Sequence, residues 1–153
     1  MKEQSKCLGC NLANKNVPVH VIYEDNYVTC MLDHDPFNRG HMMILPKEHF
    51  EDVDDLTDDV ASAVMQAAKL LSKAVKKLYE PDGITICQNG GIFSELTHFH
   101  MHVVPRYQSQ SFATFYLDET FDNESEKNRL LTTRNDIMLT INKILSYTTN
   151  KWG

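Results

Sequence analysis

The chain has little positive charge, few cysteines and no long hydrophobic run. Its 153 residues include 15 Lys and Arg against 21 Asp and Glu, a net charge of −6, which argues against broad binding to nucleic acid or to an anionic membrane surface. No stretch approaches the about 18 apolar residues of a membrane-spanning helix, and the first six residues contain no apolar signal segment. We therefore expect a cytoplasmic protein without nucleic-acid or membrane partners.

Only two of the four cysteines lie close together, Cys7 and Cys10 in a Cys-x-x-Cys spacing. In a reducing compartment this spacing favours metal binding or redox exchange over a structural bridge. Cys30 and Cys87 lie in apolar runs and are interpreted as small buried hydrophobic residues. A chain of this length forms a core without disulfides, and no linker or repeat divides it, so we expect one domain.

Three histidines at every second position, His98, His100 and His102, are the most informative feature of the sequence. In a strand they share one face, and the apolar residues between them share the other. The outer two would lie roughly 13 Å apart, whereas zinc ligands lie about 2 Å from the ion, so one ion binds one or two of them. Neighbouring imidazoles acting along an elongated anionic substrate are the favoured interpretation; surface histidines on a half-exposed strand are the alternative.

The order of predicted elements indicates an α+β domain, an antiparallel sheet of about five strands with a long helix and a C-terminal helix. Thr57 before Asp58 and Asp59 predicts a helix N-terminus, and apolar residues at three- and four-residue steps continue to about Tyr79. The predicted strands are 21–23, 27–32, 41–45, 84–88 and 96–104, and the predicted C-terminal helix is 125–147.

Four segments together resemble the histidine triad (HIT) family of nucleotide hydrolases and transferases. They are Cys7-x-x-Cys10, Asp33-x-x-Pro36-x-x-x-Gly40-His41, Pro46-Lys47-Glu48-His49 and the signature His-x-His-x-His from His98 to Val104. The resemblance implies a HIT-like fold, usually paired into a homodimer, that binds nucleoside phosphates beside the triad. The expected organisation is a single HIT domain over 1–153, with an N-terminal zinc-clip segment at 1–19 and a C-terminal extension with a helix at 108–153.

The resemblance also implies roles for the histidines. His100 corresponds to the nucleophile that attacks the α-phosphorus and forms a nucleotidyl-histidine, which water hydrolyses to a nucleoside monophosphate. His102 donates to non-bridging oxygens, and His41 supports the orientation of the nucleophile. The alternative for His41 is a histidine satisfied at a strand end.

Four further residues are expected to bind substrate, and three of them match family positions. Asp33 matches the residue that accepts the ribose hydroxyls; alternatively, it caps the following turn. Gln88 and Asn89 match a polar pair that holds ribose or phosphate, and the alternative is a simple turn signal. Ser94 supplies a hydroxyl donor near the phosphate.

The zinc-bearing bacterial branch of the family implies one structural zinc ion per chain. Its ligands would be Cys7, Cys10, His49 and His98, a closed set with no open position for catalysis. A metal-free cysteine pair with His49 on the surface is the alternative.

One segment departs from the family pattern. Phe93-Ser94-Glu95 stands where family members carry Gly-Gln, and Glu95 repels an anionic substrate unless it points away or is protonated. We expect an enzyme that cleaves nucleoside 5′-phosphoric anhydrides or phosphoramidates, with slow hydrolysis or an unusual leaving group. The alternatives are a nucleotide-binding or scaffold protein with little turnover, and a nucleotidyltransferase.

Overall fold

A five-stranded antiparallel sheet organises the protein, as predicted. The computed structural model describes residues 6–117, 121 and 123–152, without the side chains of 149–152. The strands are β1 (Val21–Glu24), β2 (Val28–Leu32), β3 (Met42–Pro46), β4 (Gly83–Gln88) and β5 (Met101–Arg106), arranged in the order β1-β2-β3-β5-β4. The helices are α1 (Leu8–Ala13), α2 (Asp58–Tyr79), α3 (Glu124–Lys127) and α4 (Leu130–Trp152).

The two faces of the sheet are buried by different helices. Along β2 and β3 every residue is buried, because alternate side chains pack into separate clusters on opposite faces. The larger cluster joins the sheet to α2 and α4, with Ile44, Leu71 and Ile137 all fully buried. The smaller cluster places α1 against the opposite face through Ala13 and Met43. Helix α1 is therefore part of the packed domain.

The long helix begins as predicted. The Thr57 side chain accepts a hydrogen bond from the Val60 amide at 3.3 Å, and Asp58 and Asp59 occupy the first turn, where the helix dipole favours negative charge. None of the helices in the described ranges is long and apolar enough to cross a membrane.

Several strand ends differ from the prediction, and the two differences that affect the site lie at the histidines. The third strand begins at Met42 rather than His41, because the His41 amide donates to the Asn38 carbonyl in a turn. The fifth strand begins at Met101 rather than near residue 96, because Phe99 leaves the sheet and donates to the Phe50 carbonyl. His98 and His100 therefore lie just before the strand.

The C-terminal helix and Cys87 also differ from prediction. A break separates α3 from α4, and α3 is held to the loop before β3 by the ion pair of Arg39 with Glu126, with a nitrogen–oxygen distance of 3.0 Å. Cys30 is fully buried as predicted. Cys87 is only half-buried, because β4 is an edge strand.

Candidate functional site

The side chains of Cys7, Cys10, His49 and His98 converge on one point. Each cysteine Sγ lies 3.3 to 3.5 Å from the Nδ1 atoms of His49 and His98. Tetrahedral zinc with sulfur at about 2.3 Å and nitrogen at about 2.0–2.1 Å requires sulfur–nitrogen separations of roughly 3.5 Å. The predicted ligand set therefore has the spacing of a closed zinc site.

The backbone orients His98 so that its Nδ1 is free to bind a metal. Its Nε2 donates to the Pro46 carbonyl at 2.8 Å, so in the neutral ring Nδ1 carries the lone pair that faces the two sulfurs. Burial lowers the pKa of His98 to about 4, which keeps the ring neutral. Gly9 lies so close that a Cβ there would be 2.3 Å from the His98 Cβ. Only glycine allows α1 to approach this ring.

His100 is buried, and its orientation follows from His98. Its Nδ1 lies 2.9 Å from the His98 carbonyl oxygen. A carbonyl only accepts, so Nδ1 carries the proton and Nε2 carries the lone pair. The ring of His100 lies 5.1 Å from that of His102, measured between centroids. His100 thus has the tautomer that a nucleophile attacking through Nε2 requires.

A second chain of hydrogen bonds sets the tautomers of His41 and His102. The Phe37 amide donates to His41 Nδ1 at 3.0 Å, which leaves the proton on His41 Nε2. That atom lies 2.9 Å from His102 Nδ1, so it donates there and the proton of His102 resides on Nε2. Burial, and secondarily His102, lowers the pKa of His41 well below its usual range. Burial, and secondarily His100, lowers the pKa of His102 to about 3.

Asp33 lies against the same histidines. Its Oδ2 is 3.5 Å from His41 Nε2 and 3.9 Å from His102 Nδ1, while Oδ1 accepts from the Asp35 amide at 2.9 Å. Oδ1 therefore makes the turn contact expected if Asp33 caps the turn, while Oδ2 faces the histidines. Burial raises the pKa of Asp33 to about 6, since the neutral histidines supply no positive charge.

The carboxylate and two imidazoles lie within 4.8 Å of one another, a spacing that suits a metal ion. The tautomer of His41 argues against a metal ion at this position. Because His41 Nδ1 is occupied by the Phe37 amide, its Nε2 holds a proton and offers no lone pair. We interpret this group as a hydrogen-bonded unit.

A cavity of about 810 Å³ opens beside these residues, a size typical of small-molecule sites. Of the predicted residues, Asp33, His41, Asn89, Ser94, His100 and His102 line it. Gln88 is not among the described lining residues; its amide donates to the Asn89 carbonyl at 2.9 Å. The Ser94 hydroxyl is buried and has no hydrogen-bond partner within the described part of the chain.

One wall of the cavity was not predicted. It comes from the segment after β5, where Phe115, Tyr116, Leu117 and Phe121 line the site. The Phe115 ring lies 5.7 Å from His41 and 5.3 Å from His102 between centroids, so it covers the two histidines. The detectable signal was the density of aromatic residues between positions 112 and 121.

Comparison with known proteins assigns the family. The family model of the HIT domain matches residues 14–109. An uncharacterised HIT-like protein of Methanocaldococcus jannaschii is 36% identical over 67% of this chain and 80% of its own length. The adenosine 5′-monophosphoramidase HNT1 of Saccharomyces cerevisiae is 31% identical over 69% and 65%, and the adenylylsulfatase HINT3 of Arabidopsis thaliana is 30% identical over 67% and 53%.

A solved structure extends the likeness to the whole domain. The zinc-bound histidine triad family protein of Mycobacterium smegmatis superposes with a TM-score of 0.71 at 26% identity, over 94% of this chain and 99% of that one. Sequence, site geometry and fold agree, and the chain belongs to the HIT family.

Proposed function

We propose that the protein is a nucleotide hydrolase that cleaves nucleoside 5′-phosphoric anhydrides or phosphoramidates through a nucleotidyl-histidine on His100. The observation that carries the proposal is the bond from His100 Nδ1 to the His98 carbonyl, which leaves the Nε2 lone pair on a ring that lines the cavity. Two family relatives named as a monophosphoramidase and an adenylylsulfatase support this reaction class.

In the first step the His100 Nε2 lone pair attacks the α-phosphorus. A phosphorus–nitrogen bond to His100 forms, the bond to the leaving group breaks, and the leaving group departs with the bonding pair and takes a proton. In the second step water attacks the same phosphorus, the bond to His100 breaks, and one proton is released. The sum is substrate plus water giving a nucleoside monophosphate and the protonated leaving group.

His102, supported by His41, stabilises the negative charge on the non-bridging oxygens of the reacting phosphate. With its proton on Nε2, His102 donates to a non-bridging oxygen, and His41 maintains that tautomer through the 2.9 Å contact. Because both rings are neutral, stabilisation comes from an oriented donor rather than from a fixed cation. The buried Ser94 hydroxyl supplies a second donor.

The remaining predicted residues bind the nucleoside. Asp33 Oδ2 accepts from a ribose hydroxyl, and Asn89 holds ribose or phosphate from the cavity lining, while Gln88, whose amide donates to the Asn89 carbonyl, supports Asn89 rather than the substrate. Cys7, Cys10, His49 and His98 would hold a structural zinc ion, which would fasten α1 to His98 and supply no step of the reaction.

Product analysis over a nucleotide panel tests the proposal. Adenosine 5′-phosphoramidate and diadenosine polyphosphates are incubated with the wild type, with His100→Ala and with His20→Ala, which removes a histidine outside the cavity. We expect release of nucleoside monophosphate by the wild type and His20→Ala, and loss of turnover with retained nucleotide binding in His100→Ala. Wild-type rates in His100→Ala would overturn the mechanism.

A second candidate is a nucleotide-binding protein with little turnover, which the acidic Glu95 in the cavity lining favours. Binding of nucleoside monophosphate without product release from any member of the panel would support it.

A third candidate is nucleotidyl transfer to a second phosphorylated acceptor. It differs from hydrolysis only in what attacks the intermediate. Added acceptors would then yield products other than the monophosphate.

The assembly follows the family resemblance, and the location is the one expected from the sequence. We propose a single HIT domain over 1–153, comprising the N-terminal zinc-clip segment at 1–19 and the C-terminal extension at 108–153, that acts as a cytoplasmic homodimer without nucleic-acid or membrane partners. Sedimentation equilibrium tests the dimer, since a mass of one chain at micromolar concentration would contradict it.

A further inference from the structure

The cavity has an unusual charge balance for a phosphate site. Its described lining contains three carboxylates, those of Asp33, Asp35 and Glu95, and no Lys or Arg. Asp35 is paired with Lys127 at 3.1 Å, and Asp33 lies 3.5 Å from His41 Nε2 through Oδ2 and 3.9 Å from His34 Nδ1 through Oδ1. Glu95 is exposed and forms no ion pair within the described ranges, so its charge is the least compensated of the three.

Glu95 lines the same cavity as His100, the proposed nucleophile. It directly follows Ser94, which lines that cavity too and supplies a donor in the proposed function. The Glu95 carboxylate also contributes weakly, after burial and Asp35, to raising the pKa of Asp33. A substituent on the leaving group is therefore exposed to the field of this carboxylate.

The loop that carries Glu95 also presents apolar surface. Ile92 is 93% exposed and Phe93 is 75% exposed, and both line the same cavity. This loop is fixed at its base, because Asp52 Oδ1 accepts from the Gly91 amide at 2.9 Å. A carboxylate beside two exposed apolar side chains suits a leaving group with an aliphatic stem and a positively charged end.

We infer that Glu95 is a specificity-determining residue that selects substrates whose leaving group is a cationic alkylamine and disfavours an anionic polyphosphate chain. The inference rests on the proposed function and narrows its substrate class to phosphoramidates. In the selected reaction the phosphorus–nitrogen bond to the alkylamine breaks, the bond to His100 Nε2 forms, and the amine nitrogen departs with the electron pair and binds a proton. The distal ammonium of the leaving group stays near Glu95 and takes no part in the bond changes.

Three matched substrates isolate this effect. They are adenosine 5′-phosphoramidates whose nitrogen carries an n-pentyl, a 5-aminopentyl or a 4-carboxybutyl group, so the scissile bond is the same and only the distal charge differs. For each enzyme, kcat/KM of the charged substrates is divided by that of the n-pentyl substrate, so a general change in activity cancels. An exposed charge pair at about 4 Å is worth roughly fivefold in water, so the wild-type ratio of cationic to anionic substrate should be at least tenfold.

Substitutions at Glu95 then test the assignment. The ratio should fall to about twofold in Glu95→Gln and invert in Glu95→Lys. It should be unchanged in Glu51→Gln, which removes an exposed carboxylate that does not line the cavity. High salt should reduce the wild-type ratio, because it screens exposed charges.

The possible failures are distinguishable. If the wild type cleaves the n-pentyl substrate but shows no preference by charge, or if Glu95→Gln keeps the wild-type ratio, the assignment of Glu95 is wrong and the proposed function stands. If the wild type cleaves none of the three substrates, phosphoramidate hydrolysis itself is contradicted, and the assignment of Glu95 is contradicted with it.

Discussion

His41 Nε2 lies 2.9 Å from His102 Nδ1, and the direction of this hydrogen bond is set by the Phe37 amide on the far side of the His41 ring. A backbone N–H thus determines, through one buried imidazole, which nitrogen of the next imidazole carries a proton. His102 presents an N–H although neither its own ring nor that of His41 is protonated to a cation. Two neutral imidazoles thus provide a donor for phosphate.

Replacement of His41 should therefore reduce catalysis through His102. In His41→Ala the proton of His102 is free to occupy Nδ1, so the donor from Nε2 is lost for part of the population. We expect kcat to fall by up to roughly 10²-fold, the usual cost of one such donor, with a smaller change in KM. Nitrogen NMR of the imidazoles should show the His102 tautomer shifting in this variant and not in His20→Ala. A reduced rate with an unchanged His102 tautomer would contradict the proposal that His41 acts by setting that tautomer.

Removal of the metal ligands should destabilise the protein. We expect about one zinc per chain in the wild type and none in Cys7→Ser combined with Cys10→Ser, with a fall in Tm of roughly 10 °C for a loss of a few kcal/mol. Elemental analysis and thermal unfolding measure both quantities. Cys87→Ser removes a half-buried thiol outside the cluster and should retain zinc. An active wild type that contains no metal would contradict the structural role.

Gly9 should tolerate no side chain. In Gly9→Ala the new Cβ would lie 2.3 Å from the His98 Cβ, so α1 or His98 must move. We expect a loss of about 1–3 kcal/mol in unfolding free energy, as for other overpacked sites, and weaker zinc binding. Gly83→Ala is the matched control, because a Cβ there meets nothing within 4 Å. Equal effects of the two substitutions would argue against the close contact.

Asp33→Asn should change the pH dependence of stability. Because burial raises the pKa of Asp33 to about 6 from its ordinary 3.8, the folded state retains a proton that the unfolded state releases. The folded state thus favours the protonated carboxyl of Asp33. Its contribution to the free energy of unfolding is present at low pH and is lost as pH rises from about 4 to 6. The asparagine variant should gain about 2–3 kcal/mol relative to the wild type between pH 4 and pH 7. Chemical denaturation at both pH values measures the change; a pH-independent difference would show that Asp33 titrates normally.

The periodicity of the sequence predicted the elements, while long-range contacts set their ends. The alternation around His100 correctly separated the site from the core, since Phe99 and Val103 are fully buried. It did not predict that the strand starts at Met101, because the bonds that end the pairing come from Pro46 and Phe50.

In the functional site, too, the contacts between residues distant in the sequence could not be predicted from periodicity. Cys7 and His98 are 91 positions apart, and only family resemblance related them before their 3.5 Å approach was seen. The aromatic wall around Phe115 was missed because it matches no catalytic motif and its partner, Phe37, lies far away in the sequence. The break between α3 and α4 depends on ion pairs to Arg39 and Asp35, which helical periodicity does not report.

Mapping the covalent intermediate tests the central claim most directly. The wild type is mixed with excess adenosine 5′-phosphoramidate and quenched during turnover in neutral denaturant, which spares the acid-labile phosphorus–nitrogen bond, and the digest is sequenced by tandem mass spectrometry. We predict an adenylyl group on His100 that is absent from His100→Ala. Steady release of adenosine monophosphate by the wild type with the adduct on another residue, or with no adduct in a quench shown to preserve one, would contradict the account.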